Sequence, residues 1–179
     1  MAPLLKPSEC SLLVLDSAGD SDAPDRNADV VVGRNRIVQA AALCGIPTFF
    51  AVPDLETVGP DLVFKPINHK IHNPPMPGHP WGETPLGLAL AQASRLSLLI
   101  CGYWLDECIT FTALNALAEG YDTYLVTDVS PPREVADRNT AIMRLVQAGV
   151  VPTTTRQAIR EWAGEIPDAT QRNRLLALI

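Results

Sequence analysis

Three side chains with useful chemistry follow short apolar runs of the sequence. Asp16 ends the run SLLVLD, Lys65 ends LVFK, and Cys108 comes six residues after Gly102, which closes LSLLICG. Apolar runs without polar alternation are typical of parallel strands that are covered on both faces. Ligands bind beyond the carboxyl ends of such strands. We therefore expect these three residues to meet at one edge of a sheet.

Cys108 is the predicted nucleophile, because the sequence places it at the start of a helix over 108–119, before Gly120. The positive end of a helix lowers the pKa of a thiol, and its unbonded N–H groups can hold an oxyanion. A lysine would stabilise the thiolate, and an aspartate would exchange its proton. Each residue also has a structural alternative: Asp16 as a helix cap, Cys108 as a small buried residue, and Lys65 as a solvated side chain.

The elements needed to position these residues alternate along the chain. This alternation predicts a mostly parallel sheet of about six strands with helices on both faces, in one domain over 1–179. The expected strands are 11–16, 47–52, 62–65, 96–101, 124–127 and 150–153, and the expected helices are 25–44, 84–93, 108–119, 139–148 and 155–163.

The composition limits the partners and the compartment. The net charge is −6, which argues against nucleic acid and anionic membranes as partners. The first ten residues make a poor signal peptide, and no apolar run reaches the roughly 18 residues that a membrane span needs. The four cysteines (Cys10, Cys44, Cys101, Cys108) form no CxxC pair, so we expect free thiols in a reducing cytoplasm.

The stretch from Leu98 to Ser130 resembles the signature of the isochorismatase-like cysteine hydrolases, a superfamily that includes nicotinamidases and isochorismatases. The family shows an apolar strand, a glycine, a cysteine, a Thr-Ala helix that ends in Gly-Tyr or Gly-Phe, and a second strand that ends in Asp-Ala. The LLVLD run upstream and RNTAIMRLVQAGVVPTT downstream extend the resemblance over about residues 10–163. The matching positions are Gly102, Cys108, Thr112, Ala113, Gly120, Tyr121 and Asp128, with Val129 in place of the alanine.

The resemblance implies a Rossmann-like three-layer α/β/α sandwich and an Asp16–Lys65–Cys108 triad. It also implies a cis peptide between Tyr103 and Trp104, so that the N–H groups of Trp104 and Cys108 form an oxyanion hole. The implied reaction is hydrolysis of a C–N bond of a small amide-type substrate through a thioester. Relatives of this kind commonly form homo-oligomers.

Two departures from the family pattern leave alternatives open. Ala18 stands where glutamine is common after the acidic residue, and the interval from Lys65 to Cys108 is one of the longer versions. Lys70 would need a smaller extension, so either lysine can complete the triad. If neither does, the chain is a non-catalytic relative. A catalytically silent oligomer and a redox sensor that uses Cys108, with Cys101 seven residues away, are the alternatives to the hydrolase.

Residues 65–81 form an irregular stretch with five prolines and all three histidines of the chain. His69, His72 and His79 are possible zinc ligands. The metal ligands of the family, however, follow the second strand as Asp-x-His, where this chain has Asp54 without a histidine. We therefore predict no metal.

The stretch is expected to be a lid or a subunit contact. Trp81, Tyr103 and Trp104 would surround the mouth of the pocket, with a core or interface position as the alternative for Trp81. No nucleotide-binding fingerprint occurs, so no cofactor is predicted.

Overall fold

The computed structural model describes residues 4–15, 28–51 and 84–179. In these ranges the chain alternates between strands and helices, as the sequence predicts. The strands are β1 (Cys10–Leu15), β2 (Thr48–Ala51), β3 (Ser97–Gly102), β4 (Asp122–Val126) and β5 (Val151–Thr153). The helices are α1 (Ala28–Leu43), α2 (Pro85–Ala93), α3 (Thr110–Ala118), α4 (Arg138–Ala148), α5 (Thr155–Glu165) and α6 (Ala169–Leu176).

The five strands form one parallel sheet in the order β2-β1-β3-β4-β5. This confirms the predicted fold class, with five strands where about six were expected. The remaining candidate, 62–65, lies outside the described residues. A single domain over 1–179 stays a prediction.

Alternate residues of the strands face two helical layers, which gives a three-layer sandwich. In β1, Leu12 and Val14 face a core with α1, α5 and α6, whereas Leu13 and Leu15 face a core with α2, α3 and α4. All six residues of β1 and of β3 are buried. This burial on both faces is why the two strands read as continuous apolar runs.

Local signals set several helix boundaries. Thr84 accepts a hydrogen bond from the N–H of Gly87 and precedes Pro85 at the start of α2, a common helix opening. Asp168 caps α6 in the same way, although the sequence analysis did not predict that helix. None of the described helices is both long enough and apolar enough to cross a membrane.

The predicted helix over 108–119 begins earlier than expected. Helical structure starts at Leu105 with a π-helical turn, Leu105–Ile109, and continues as α3 to Ala118. The earlier start has no sequence signal, because Trp104 at the cap position makes no side-chain capping hydrogen bond. Cys108 is instead the fourth residue of the helical segment.

Candidate active site

The carboxyl ends of β1 and β3 define the place where a ligand would bind. From β1 the chain goes to β2 on one side, and β3 lies on the other side of β1. Such a reversal of direction opens a crevice at the carboxyl edge of a parallel sheet. Here Leu15 pairs with Gly102, and the N–H of Tyr103 donates to the carbonyl oxygen of Leu15 at 2.9 Å.

Gly102 allows this close approach of the two strands. Its φ is +117°, and a Cβ atom there would lie 1.7 Å from the carbonyl oxygen of Leu15. No side chain fits in that space. The glycine of the signature therefore has a structural reason: it brings the end of β3 against the end of β1.

Several predicted site residues lie outside the described residues. These are Asp16, Lys65, Lys70 and Trp81, together with the three histidines. Asp16 is bonded to Leu15, and Leu15 contacts Tyr103 at the crevice. The triad and the choice of lysine stay predictions.

Cys108 lies in the first turn of the helical segment that follows β3. The carbonyl oxygen of Trp104 accepts the N–H of Glu107 at 3.2 Å and that of Ile109 at 3.1 Å, which makes the turn π-helical. Cys108 is half-buried and packs against the core on the α2–α4 side. The residue is therefore partly accessible and has an apolar surrounding.

The expected lowering of the Cys108 pKa is not found. Burial raises the pKa of the thiol to about 11, and the nearby carboxylate of Glu107 acts in the same direction. Arg133 and the backbone of Cys108 itself favour the thiolate but do not outweigh burial. In this surrounding the loss of hydration exceeds the effect of the helix start.

The peptide bond between Tyr103 and Trp104 is cis, as the resemblance implied. Both side chains are buried, at 6% and 4% exposed, and form a cluster with Val30. The rings meet edge to face with centroids 5.2 Å apart. The guanidinium of Arg34 lies over the Tyr103 ring, and that of Arg133 lies over the Trp104 ring.

A segment after β4 contacts the turn that carries Cys108. Asp106 accepts the N–H groups of Arg133 and Glu134, and Glu107 forms an ion pair with Arg133 at 2.8 Å. These contacts are not predicted from the sequence. Nothing in the local pattern SPPRE shows which distant turn it will contact.

Asp128 of the signature accepts two hydrogen bonds from Thr155, at the start of α5. Its carboxylate accepts the N–H of Thr155 at 2.9 Å and its hydroxyl at 3.3 Å. This contact ties the end of β4 to the start of α5. An aspartate at a helix start satisfies unpaired N–H groups and favours the positive helix end.

A disulfide between Cys101 and Cys108 is not supported. Cys101 is fully buried and faces the core with α1, α5 and α6, whereas Cys108 packs on the other side of the sheet. All four cysteines are free. Their positions on opposite sides of the sheet argue against a disulfide between them, and the redox-sensor alternative stays a prediction.

The described residues offer no stronger candidate for a functional site than this crevice. No group of three or more metal-ligating side chains occurs within 4–15, 28–51 and 84–179. A cavity of about 350 Å³ lies at the opposite, amino edge of the sheet. Leu90, Arg95, Glu119 and Tyr121 contribute to its wall.

Comparison with known proteins shows similarity to isochorismatase-domain proteins. The model of the isochorismatase domain matches residues 78–157, which include Cys108. Isochorismatase domain-containing protein 1 of Salmo salar is 26% identical over 147 residues, covering 76% of this chain and 49% of that relative. This chain is similar to the isochorismatase-like superfamily, which confirms the predicted resemblance. It spans about half the length of the curated relatives that it matches over most of its own length.

Two solved structures share the fold. The YcaC gene product of Escherichia coli, described as an octameric hydrolase of unknown specificity, superposes with a TM-score of 0.73 at 20% identity. The MAR1 ribonuclease of Caenorhabditis elegans superposes with a TM-score of 0.76 at 18% identity. Each covers 99% of this chain, and this chain covers 92% of each. One is described as a ribonuclease and the other as a hydrolase of unknown specificity, so the shared fold does not by itself assign a substrate.

Proposed function

We propose that this chain is a cysteine-dependent hydrolase that cleaves a C–N bond of a small amide-type substrate. The observation that carries the proposal is the place of Cys108. It is a half-buried thiol in the first turn of a helical segment, directly after the strand that borders the crevice. Similarity to a superfamily that includes proteins described as hydrolases supports the reaction class.

The proposed reaction has two halves. The Cys108 sulfur attacks the carbonyl carbon while Asp16 accepts the thiol proton. The N–H groups of Trp104 and Cys108 hold the oxyanion. The C–N bond then breaks as Asp16 returns the proton to the leaving nitrogen, and water hydrolyses the thioester to an acid and the free thiol.

The raised pKa of Cys108 shapes the first step. A thiol with a pKa of about 11 is neutral at physiological pH, so little thiolate exists before substrate binds. Proton transfer to Asp16 must therefore accompany the attack on the carbonyl. In this proposal Lys65, or Lys70 in its place, lowers the cost of the developing negative charge.

The test is turnover of a panel of primary amides, measured as released ammonia. Cys108→Ser is expected to lower turnover at least about 1,000-fold, because a serine hydroxyl is a far weaker nucleophile in this setting. Cys44→Ser is the matched control, since Cys44 is also half-buried and free. Turnover that survives Cys108→Ser would rule out the proposed nucleophile.

Asp16→Asn, Lys65→Ala and Lys70→Ala extend the test to the triad. We expect Asp16→Asn and one of the two lysine variants to reduce turnover, and the lysine with the larger effect completes the triad. If the wild-type chain turns over no amide in the panel, this result favours the alternative that the chain is catalytically silent. Mass spectrometry of Cys108 after incubation with substrate should show the thioester.

Homo-oligomer formation is part of the proposal, because the YcaC gene product of E. coli is described as octameric. Light scattering on the purified chain checks it. A cytoplasmic location also stays a prediction, and cell fractionation tests it.

A further inference from the structure

We propose that the segment Pro131–Glu134 is a brace for the turn that presents Cys108, and that Arg133 within it offsets the charge of Glu107 beside the sulfur. In this role Arg133 is a positioning residue. The inference rests on the proposed function in one respect, namely that Cys108 is the nucleophile.

The brace contacts each of the four residues that precede Cys108. The N–H of Leu105 donates to the carbonyl oxygen of Pro131 at 3.0 Å. The carboxylate of Asp106 accepts the N–H of Arg133 at 2.8 Å and that of Glu134 at 3.2 Å. These bonds join the backbone of the brace to the start of the turn.

The side chain of Arg133 completes the contacts. Its Nε donates to Glu107 at 2.8 Å, and its guanidinium carbon lies 5.0 Å from the centre of the Trp104 ring. One planar cation therefore binds the carboxylate next to Cys108 and also packs over the aromatic residue whose N–H is a proposed oxyanion donor. Arginine suits this double contact better than lysine, because its planar group both pairs and stacks.

The electrostatics agree with the geometry. Glu107 raises the pKa of the Cys108 thiol and Arg133 lowers it. Without Arg133, the carboxylate of Glu107 would oppose a negative sulfur, with no ion pair to another residue of the described ranges. A carboxylate one residue before a nucleophilic thiol is unfavourable unless a cation offsets it.

The experiment measures the rate of Cys108 alkylation by iodoacetamide at about pH 8.5, in a Cys44→Ser background. Well below its pKa the thiolate fraction changes about tenfold for each unit of pKa, so the rate reports the thiol pKa. No substrate is needed. A wild-type chain without amidase turnover would therefore count against the proposed function and leave this measurement intact.

Arg133→Gln is expected to slow alkylation about three-fold, and Glu107→Gln to speed it by about the same factor, as suits a partly exposed ion pair. The double variant should return to within about two-fold of the parent rate. Arg133→Lys, which keeps the charge, should restore most of the rate. The inference is overturned if Glu107→Gln leaves the rate unchanged, an outcome that does not depend on whether Arg133→Gln folds.

Arg138→Gln is the matched control. Arg138 follows the same segment and donates to the carbonyl oxygens of Thr127 and Ser130, so its loss disturbs the local backbone. It does not contribute to the pKa shift of Cys108. If Arg138→Gln slows alkylation as much as Arg133→Gln, the effect of Arg133 is mechanical and the charge role is wrong.

Discussion

Cys108 and Cys44 are both half-buried free thiols, yet they lie at opposite edges of the sheet. Cys44 follows α1 and precedes β2, at the amino edge, and its pKa is raised to about 11 by burial alone. Cys108 reaches about the same pKa at the carboxyl edge, with Glu107 and Arg133 acting in opposite directions. The pKa therefore does not distinguish Cys108, the proposed nucleophile, from Cys44. The two thiols differ in the charged groups near the sulfur.

The neighbouring glycines show the same contrast between the two edges. Gly45, next to Cys44, has φ +67°, and a Cβ there would meet nothing within 4 Å. Gly102, before the turn of Cys108, has no room for a Cβ beside Leu15. There is thus space for a side chain at Gly45 on the amino edge, whereas the backbone strands are in close contact at Gly102 on the carboxyl edge.

Gly102→Ala should give the largest effect. The added Cβ would overlap the backbone of Leu15, so we expect a loss of more than about 3 kcal/mol in the free energy of unfolding. Gly45→Ala, the control, should cost only about 1 kcal/mol, because only its positive φ is unfavourable. Urea denaturation measures both. Equal losses would mean that the two edges do not differ in packing.

The stability of the chain should fall as the pH rises from about 9 to about 11. A thiol whose pKa is raised in the folded state holds its proton there, while the unfolded chain loses it above the ordinary value of 9.0. The stabilisation is thus complete below about pH 9 and is lost as the pH rises through 11. Fully buried Cys10 should contribute on the order of 2 kcal/mol, and the half-exposed thiols less.

Urea denaturation at several pH values checks this dependence. Cys44→Ser and Cys108→Ser should each remove part of the alkaline loss, by similar amounts. Burial also raises the pKa of Tyr124, so some loss in the same direction remains in both variants. Stability that rises between pH 9 and 11 would contradict the burial of these groups.

Asp106→Asn should cost about 1–2 kcal/mol of unfolding free energy. The carboxylate accepts two backbone N–H groups at the carboxyl edge, and bonds to a charged acceptor are stronger than neutral ones. Glu9→Gln is the control near the amino edge, where the exposed Lys6–Glu9 pair should contribute less than about 0.5 kcal/mol. A loss for Asp106→Asn no larger than for Glu9→Gln would show that the brace adds no stability.

The fold could be predicted from the sequence because the central strands β1 and β3 are buried on both faces. Each therefore appears in the sequence as a continuous apolar run. The sequence also predicted the edge of the sheet that carries Cys108, since parallel strands place their carboxyl ends together. The helix start at Leu105 escaped because a π-helical turn has no capping signal. The pKa of Cys108 and the contacts of Arg133 depend on packing between distant segments, which no local pattern records.

Alkylation of the wild-type chain should give the smallest contrast of the set. Cys10 and Cys101 are fully buried and should react only when the chain unfolds, whereas Cys44 and Cys108 should label in the native state. Because the two accessible thiols have about the same pKa, their rates at pH 8.5 should agree within about five-fold. Peptide mapping by mass spectrometry resolves the four sites. Their selectivity should appear only with a substrate-like amide electrophile, which needs the crevice as well as a thiol. If such a reagent labelled Cys44 and Cys108 alike, the carboxyl edge would have no recognition of its own.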